Sequence, residues 1–97
     1  MKNKQLEREL EERCTGYARE KGLVSVKLEN VGMAGIPDRL IIGQGGKTLF
    51  IEFKTPNKSG RLSEEQKFWL KYLGGAGHVI DDFDDFIKLI DSVYRCI

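Results

Sequence analysis

The sequence has few of the residues that build disulfide frameworks or zinc sites. Its 97 residues include two cysteines and one histidine, too few for a disulfide scaffold or a Cys/His zinc centre. Cys14 and Cys96 each fall within an apolar helical pattern, where a free thiol behaves as a small hydrophobe. This cysteine usage favours a reducing, cytoplasmic location.

Long apolar runs and a strong charge of one sign are also missing. No stretch approaches the roughly 18 apolar residues of a membrane span, and residues 1–13 are charged rather than signal-like. The net charge of +1 gives no general argument for nucleic acid. Residues 36–72 do hold seven Lys/Arg against four Asp/Glu. Such a local excess can serve phosphate binding, although it is more often a solvated surface.

Length and composition predict one globular domain over residues 1–97. Hydrophobic periodicity and capping residues predict an α-β-β-β-α-β-α order, with one mixed sheet flanked by helices. The predicted helices are residues 4–21, residues 64–73 and a last helix capped by Asp82. The predicted strands are residues 23–29, 38–43, 47–54 and 78–80. In the first strand, alternation predicts that Val24, Val26 and Leu28 face the core.

A short Gly-rich link, Gln44 to Gly46, predicts a hairpin between the second and third strands. If Gly43 pairs with Lys47, the same register puts Asp38 directly opposite Glu52 on one sheet face. Opposed carboxylates are destabilising unless they are neutralised, and a hard divalent cation would neutralise them. A loop one residue shorter or longer would move Asp38 to the other face.

Lys54 follows Glu52 by two residues, so strand periodicity puts both side chains on the same face. Such a pair is commonly part of a solvated surface. Here the neighbouring residues are apolar, which predicts a buried strand. Ionisable groups are rare in such a strand, so their presence indicates a functional site. The carboxylates would hold a metal that activates water, and Lys54 would orient that water or offset charge on the phosphate.

Two strings of residues around these positions resemble a known family. They are Gly35 to Leu40 (GIPDRL) and Phe50 to Pro56 (FIEFKTP), followed by Leu62 and Gln66. Together they resemble the VRR-NUC domain of the PD-(D/E)xK nuclease superfamily, over roughly residues 5–90. The Val-Arg-Arg string that names the family is absent.

The resemblance implies a restriction-endonuclease-like αβββαβ core with an additional C-terminal helix. It implies that Asp38, Glu52 and the Phe53 backbone carbonyl bind Mg²⁺ or Mn²⁺ and that Lys54 is catalytic. Stand-alone members of this size resemble viral-type, dimeric endonucleases for branched DNA such as four-way (Holliday) junctions. A viral member would act in the host cell cytoplasm.

An acidic residue on the first helix completes the site in this family, and four glutamates are candidates for it. They are Glu7, Glu9, Glu11 and Glu12. Alignment of the helix to its stop at Gly22 favours Glu11, whereas the alternative is that all four are solvated. Gln66 matches the family's glutamine, but it also has a structural explanation as the capping-box partner of Ser63.

Five basic residues are candidates for binding DNA phosphates, although exposed basic side chains have the same pattern. They are Lys27, Arg39, Lys58, Arg61 and Lys67.

The helix over residues 64–73 is apolar around much of its surface, including Phe68 and Tyr72, which predicts a homodimer contact. The alternatives to a DNA endonuclease are a non-cleaving nucleic-acid-binding module of the same fold and a small protein-interaction domain.

Overall fold

The structure, a computed structural model that describes residues 2–29, 31–55 and 61–94, contains three α-helices and four β-strands in that part of the chain. The helices are α1 (Lys2–Glu20), α2 (Glu64–Leu73) and α3 (Phe83–Val93). The strands are β1 (Val24–Lys27), β2 (Arg39–Ile42), β3 (Thr48–Phe53) and β4 (Gly77–Ile80). The predicted order of elements is confirmed. No helix in these residues is both long and apolar enough to cross a membrane.

The four strands form one mixed sheet in the order β1-β2-β3-β4. The first three are antiparallel neighbours, and β4 runs parallel to β3. Gly45 and Gly46 adopt positive φ angles of 81° and 85°, which allows the tight link between β2 and β3. Parallel pairing of β3 with β4 requires a crossover, and α2 lies within it. The predicted α/β class with a mixed sheet is therefore confirmed.

The core lies between one face of the sheet and the pair formed by α1 and α3. The two helices contact each other and the sheet. Their buried side chains meet those of β2 and β3 in one cluster, whose largest fully buried members are Phe53, Phe86, Ile41, Ile51 and Ile90. Since Ile51 and Phe53 point into this core, strand alternation turns the side chain between them, Glu52, to the opposite face.

The predicted orientation of β1 is wrong at Val24 and Val26, which are 54% and 37% exposed. Ser25 is instead the buried residue of the strand. It pairs with core residue Ile41, and its Oγ lies 3.3 Å from Oγ1 of buried Thr15 on α1. A hydrogen-bonding partner thus removes the cost of burying the serine hydroxyl. Leu28, just beyond the strand, is buried as predicted.

The N-terminal turn of α2 presses against the loop that precedes Asp38. A Cβ atom on Gly35 would lie 2.4 Å from Glu65 Cβ and 2.7 Å from the Gln66 nitrogen, and Gly35 has a φ of +78°. On the next turn of the helix, Trp69 Nε1 donates to the carbonyl of Ala34 at 3.1 Å. These contacts fix α2 relative to the Asp38 loop.

We expect Gly35→Ala to destabilise the protein far more than Gly32→Ala. Both glycines have positive φ, and a Cβ atom at Gly32 has nothing within 4 Å. Gly32→Ala should therefore cost about 1 kcal/mol from the backbone conformation alone. Gly35→Ala should cost about 2 kcal/mol more because it clashes with the backbone of α2. Urea unfolding of both variants measures the difference, and equal losses would contradict the close contact.

Candidate active site

The register of the hairpin brings Asp38 and Glu52 together. Arg39 pairs with Ile51 and Leu40 with Phe50, so the next pair of the same register is Asp38 with Glu52. Asp38 lies just before β2, and its Oδ2 accepts a hydrogen bond from the Phe53 backbone nitrogen at 2.8 Å. The predicted register is confirmed, and both carboxylates lie at the same end of the β2–β3 hairpin.

Glu52 is 4% exposed, which is unusual for a carboxylate in a strand. Its Oε2 accepts from Gln66 Nε2 at 3.0 Å and lies 3.8 Å from Lys54 Nζ. Gln66 comes from the first turn of α2, which therefore covers the Glu52 side of the sheet. The structure thus brings four of the predicted site residues into one cluster: Asp38, Glu52, Lys54 and Gln66.

Lys54 is held by the segment that leads into α2. Its Nζ donates to the backbone carbonyl of Arg61 at 2.9 Å and to Gln66 Oε1 at 3.1 Å. Arg61 was a candidate for phosphate binding through its side chain. Its backbone contact to Lys54 was not expected, because sequence patterns do not indicate which carbonyls point into a site.

The pKa values of the two carboxyl groups are both raised. Burial, followed by the negative charge of Asp38, raises the pKa of Glu52 to about 8 against the opposing effect of Lys54. Burial also raises the pKa of Asp38 to about 6, although the hydrogen bond from the Phe53 N–H works in the opposite direction. Strongly perturbed carboxyl groups in one cluster are typical of functional sites.

The donor set of this cluster fits a hard divalent cation. The negative charge of Asp38 raises the pKa of Glu52, and Mg²⁺ or Mn²⁺, which prefer oxygen ligands, would neutralise the two carboxylates. Within the described ranges, no group of three or more His, Cys, Asp or Glu side chains forms a ready metal site. A cation at this place would therefore need ligands besides the two carboxylates. The Phe53 carbonyl, water and substrate phosphate are of the right chemical type.

Glu11, the favoured helix acid, makes an ion pair with Arg39. The Arg39 Nε donates to Glu11 Oε2 at 2.7 Å, and both side chains are largely buried. Arg39 Nη1 also lies 3.4 Å from Ser25 Oγ. The pair joins α1 to the sheet beside Asp38. It also places the Arg39 guanidinium among protein groups rather than on the open surface, where a phosphate would bind.

Glu7, one helical turn before Glu11, interacts electrostatically with Lys54 of the cluster. Its pKa is raised, chiefly by burial, while Lys54 lowers it and Glu11 raises it. Its charge raises the pKa of Glu52 more than that of Glu11 does, whereas Glu11 raises the pKa of Asp38 more than Glu7 does. The other two candidates, Glu9 and Glu12, are exposed. Glu7 therefore shares with Asp38 and Glu52 a carboxyl pKa that is raised chiefly by burial.

The other predicted phosphate-binding residues lie around the cluster rather than in it. Lys27 pairs with Glu29 at 3.0 Å and Lys67 with Glu64 at 3.3 Å, all on exposed side chains. Lys58 lies outside the described residues. A polar cleft beside α1 is lined by Lys4, Glu7, Arg8, Glu11, Lys27 and Glu29. Lys4 and Arg8 were not predicted, although their spacing by one helical turn matches that of Glu7 and Glu11.

The VRR-NUC domain model matches residues 3–80. The chain belongs to the VRR-NUC family. A solved structure described as a VRR_NUC domain is similar to it, with a TM-score of 0.71 and 22% identity over 88% of this chain and 94% of that chain. A search of curated proteins gave no match. The resemblance drawn from the sequence is thus confirmed, and VRR-NUC domains are nuclease-type domains.

We expect the metal-free protein to lose stability as the pH rises, because folding raises the pKa of Glu52 from its ordinary 4.5 to about 8. Between these values the folded state holds a proton that the unfolded state has lost, so the free energy of unfolding falls with increasing pH. Glu52→Gln should remove most of this fall. Urea unfolding in EDTA at several pH values measures it.

Glu12→Gln makes the same replacement on the exposed side of α1 and serves as the control. It should unfold with the pH dependence of the wild type. A Glu52→Gln variant that loses stability with pH as steeply as the wild type would show that the Glu52 carboxyl is not protonated in the folded state.

Proposed function

We propose that this VRR-NUC domain is a metal-dependent endodeoxyribonuclease that hydrolyses phosphodiester bonds in branched DNA such as four-way junctions. The observation that supports it most is the pair of carboxylates, buried Glu52 and half-buried Asp38, beside the Lys54 ammonium. A protein that only binds DNA gains nothing from carboxylates that repel a polyanion. We also propose that residues 1–97 act as one domain.

Asp38 and Glu52, with the Phe53 carbonyl, would hold the Mg²⁺ or Mn²⁺ ion. When bound, such a cation lowers the pKa of a water molecule and polarises a phosphate oxygen. The chain's own contribution is to keep both carboxylates at one place. The Phe53 N–H holds Asp38 at 2.8 Å, and the Gln66 amide holds Glu52 at 3.0 Å.

Lys54 would offset the negative charge that builds on the phosphate as the bond breaks. Two hydrogen bonds, to Arg61 O and Gln66 Oε1, hold its ammonium beside the carboxylates. We propose Glu7, rather than Glu11, as the helix acid of the site, because Glu11 is engaged by Arg39. Lys4, Arg8 and Lys27, which line the cleft beside Glu7, would bind DNA phosphates.

The protein should cut DNA only with a divalent cation. Labelled four-way junction, duplex, flap and single-stranded DNA, each incubated with Mg²⁺, Mn²⁺ or EDTA, test this. Asp38→Ala, Glu52→Ala and Lys54→Ala should each lower the rate about 100-fold or more while remaining folded by circular dichroism. Activity that survives Glu52→Ala would refute the site. Wild-type binding without cleavage would support the non-cleaving module instead.

The same assay separates the two helix glutamates. Glu7→Gln should lower the rate about tenfold or more and weaken Mn²⁺ binding measured by calorimetry. Glu11→Gln should chiefly lower the melting temperature, because Arg39 then loses its charged partner. The opposite result, with Mn²⁺ binding lost only in Glu11→Gln, would return the role to Glu11.

We propose further that two copies associate through the exposed apolar side of α2. Phe68 and Tyr72 are 60% and 74% exposed, and their rings stack with centroids 6.1 Å apart. Exposed aromatic groups of this size are typical of interfaces. Two active sites related by a two-fold axis would suit paired cuts in a symmetric junction.

Sedimentation velocity at micromolar concentration should therefore show a dimer for the wild type. The double variant Phe68→Asp, Tyr72→Asp should sediment as a monomer, because two charges replace the apolar contact. Phe68 and Tyr72 are exposed and outside the buried core, so this variant should remain folded. A wild-type protein that is entirely monomeric would contradict the proposal.

A further inference from the structure

Three hydrogen bonds give the side-chain amide of Gln66 a single orientation. Its Oε1 accepts from Lys54 Nζ at 3.1 Å and from the Ser63 backbone nitrogen at 2.9 Å, and its Nε2 donates to Glu52 Oε2 at 3.0 Å. Turning the amide over would bring its NH₂ group against two donors and its oxygen against a carboxylate. The observed orientation satisfies all three partners.

Ser63 contributes two different atoms to the start of α2. Its Oγ accepts from the Gln66 backbone nitrogen at 3.1 Å, which caps the helix. Its own backbone N–H donates to the side chain of Gln66. The first contact stabilises the helix, whereas the second reaches an amide that touches Lys54 and Glu52. Ser63 therefore makes one contact that caps the helix and a second contact, through Gln66, to the site residues.

The capping box has a fixed position relative to the site. Gly35 lies against Glu65 and Gln66 so closely that even a methyl group would clash. Trp69 holds the same loop by its hydrogen bond to Ala34. Because this loop leads directly to Asp38, the amide of Gln66 and the two carboxylates are held by one rigid set of contacts.

The Gln66 amide separates the ammonium of Lys54 from the carboxylate of Glu52. Lys54 Nζ and Glu52 Oε2 are 3.8 Å apart, whereas a direct charge-assisted hydrogen bond is about 2.7–2.9 Å long. Both groups instead bond to the amide between them. If the amide turned away, the two groups could approach each other directly, and each would be less available to a substrate.

We propose that Ser63 is a positioning residue: its backbone N–H holds Gln66 Oε1, and through the Gln66 amide it keeps Lys54 and Glu52 apart. Its effect on the rate of cleavage rests on the proposed nuclease function. Its effect on the orientation of Gln66 does not. The two effects can therefore be measured separately.

Ser63→Pro and Ser63→Ala form a matched pair. Both lose the capping Oγ, but only proline loses the backbone N–H, and the φ of −73° at Ser63 suits a proline ring. We expect Ser63→Pro to lower kcat about tenfold with KM for DNA unchanged. Ser63→Ala should keep kcat within about twofold of the wild type, despite a lower melting temperature. Ser63→Thr, which keeps both atoms, should restore both properties.

The orientation of Gln66 can be followed by ¹H–¹⁵N spectra of the full chain in EDTA. Its NH₂ pair, identified by its loss in Gln66→Met, should exchange with water more slowly than that of exposed Gln44. The slow exchange should persist in Ser63→Ala and disappear in Ser63→Pro. These spectra decide the positioning role even if the wild type cuts no DNA.

Two results would overturn the proposal. One is a Gln66 NH₂ pair in the wild type that exchanges as fast as that of Gln44. The other is a loss of kcat in Ser63→Ala as large as in Ser63→Pro, because the capping Oγ would then account for the whole effect. If Ser63→Pro does not fold, the spectra of the wild type and of Ser63→Ala still test the hydrogen bond, since both must show slow exchange.

Discussion

The whole site depends on the burial of two carboxyl groups next to each other. Water would solvate each charge well, whereas this end of the β2–β3 hairpin removes Glu52, and part of Asp38, from water. Glu52 is almost completely buried, and Asp38 lies opposite it in the hairpin. Three groups compensate in part. The Phe53 N–H donates to Asp38, the Gln66 amide donates to Glu52, and the Lys54 ammonium lies close to Glu52. These groups reduce the cost of burial, but a single ammonium cannot neutralise two carboxylates. A bound cation, as proposed above, would supply the missing positive charge.

The fold holds this unfavourable pair because the strand beneath it is strongly anchored. Ile51 and Phe53 lie at the centre of the core, so the residues that alternate with them cannot turn away from the opposite face. β3 is also paired on both edges, by β2 and by β4. The strand therefore cannot slip in register, because a shift of one residue would expose two of the largest core side chains.

The hairpin register and the pairing of Asp38 with Glu52 could be predicted because both depend on a short stretch of sequence. Three residues from Gln44 to Gly46 fix the loop length, and the loop length fixes which residues face each other. The orientation of β1 could not be predicted in this way. Ser25 faces inward because Thr15 on α1 meets it, and no local pattern reveals a partner on another element. The same limit applies to Glu11 and Arg39, which are 28 residues apart in sequence and joined only in the folded chain.

Gln66 shows why a complete local explanation does not exclude a role in the site. A capping box accepts either glutamate or glutamine at this position, since both can receive the backbone N–H of the capping residue. A glutamate would add a third carboxylate within hydrogen-bonding distance of Glu52. The pKa of Glu52 is already raised by its burial and by Asp38. A glutamate would also offer Glu52 no N–H group. Glutamine keeps the acceptor that Ser63 and Lys54 need and adds the donor that Glu52 needs. Helix capping alone permits glutamate or glutamine at position 66, whereas the negative charge of the site permits only glutamine.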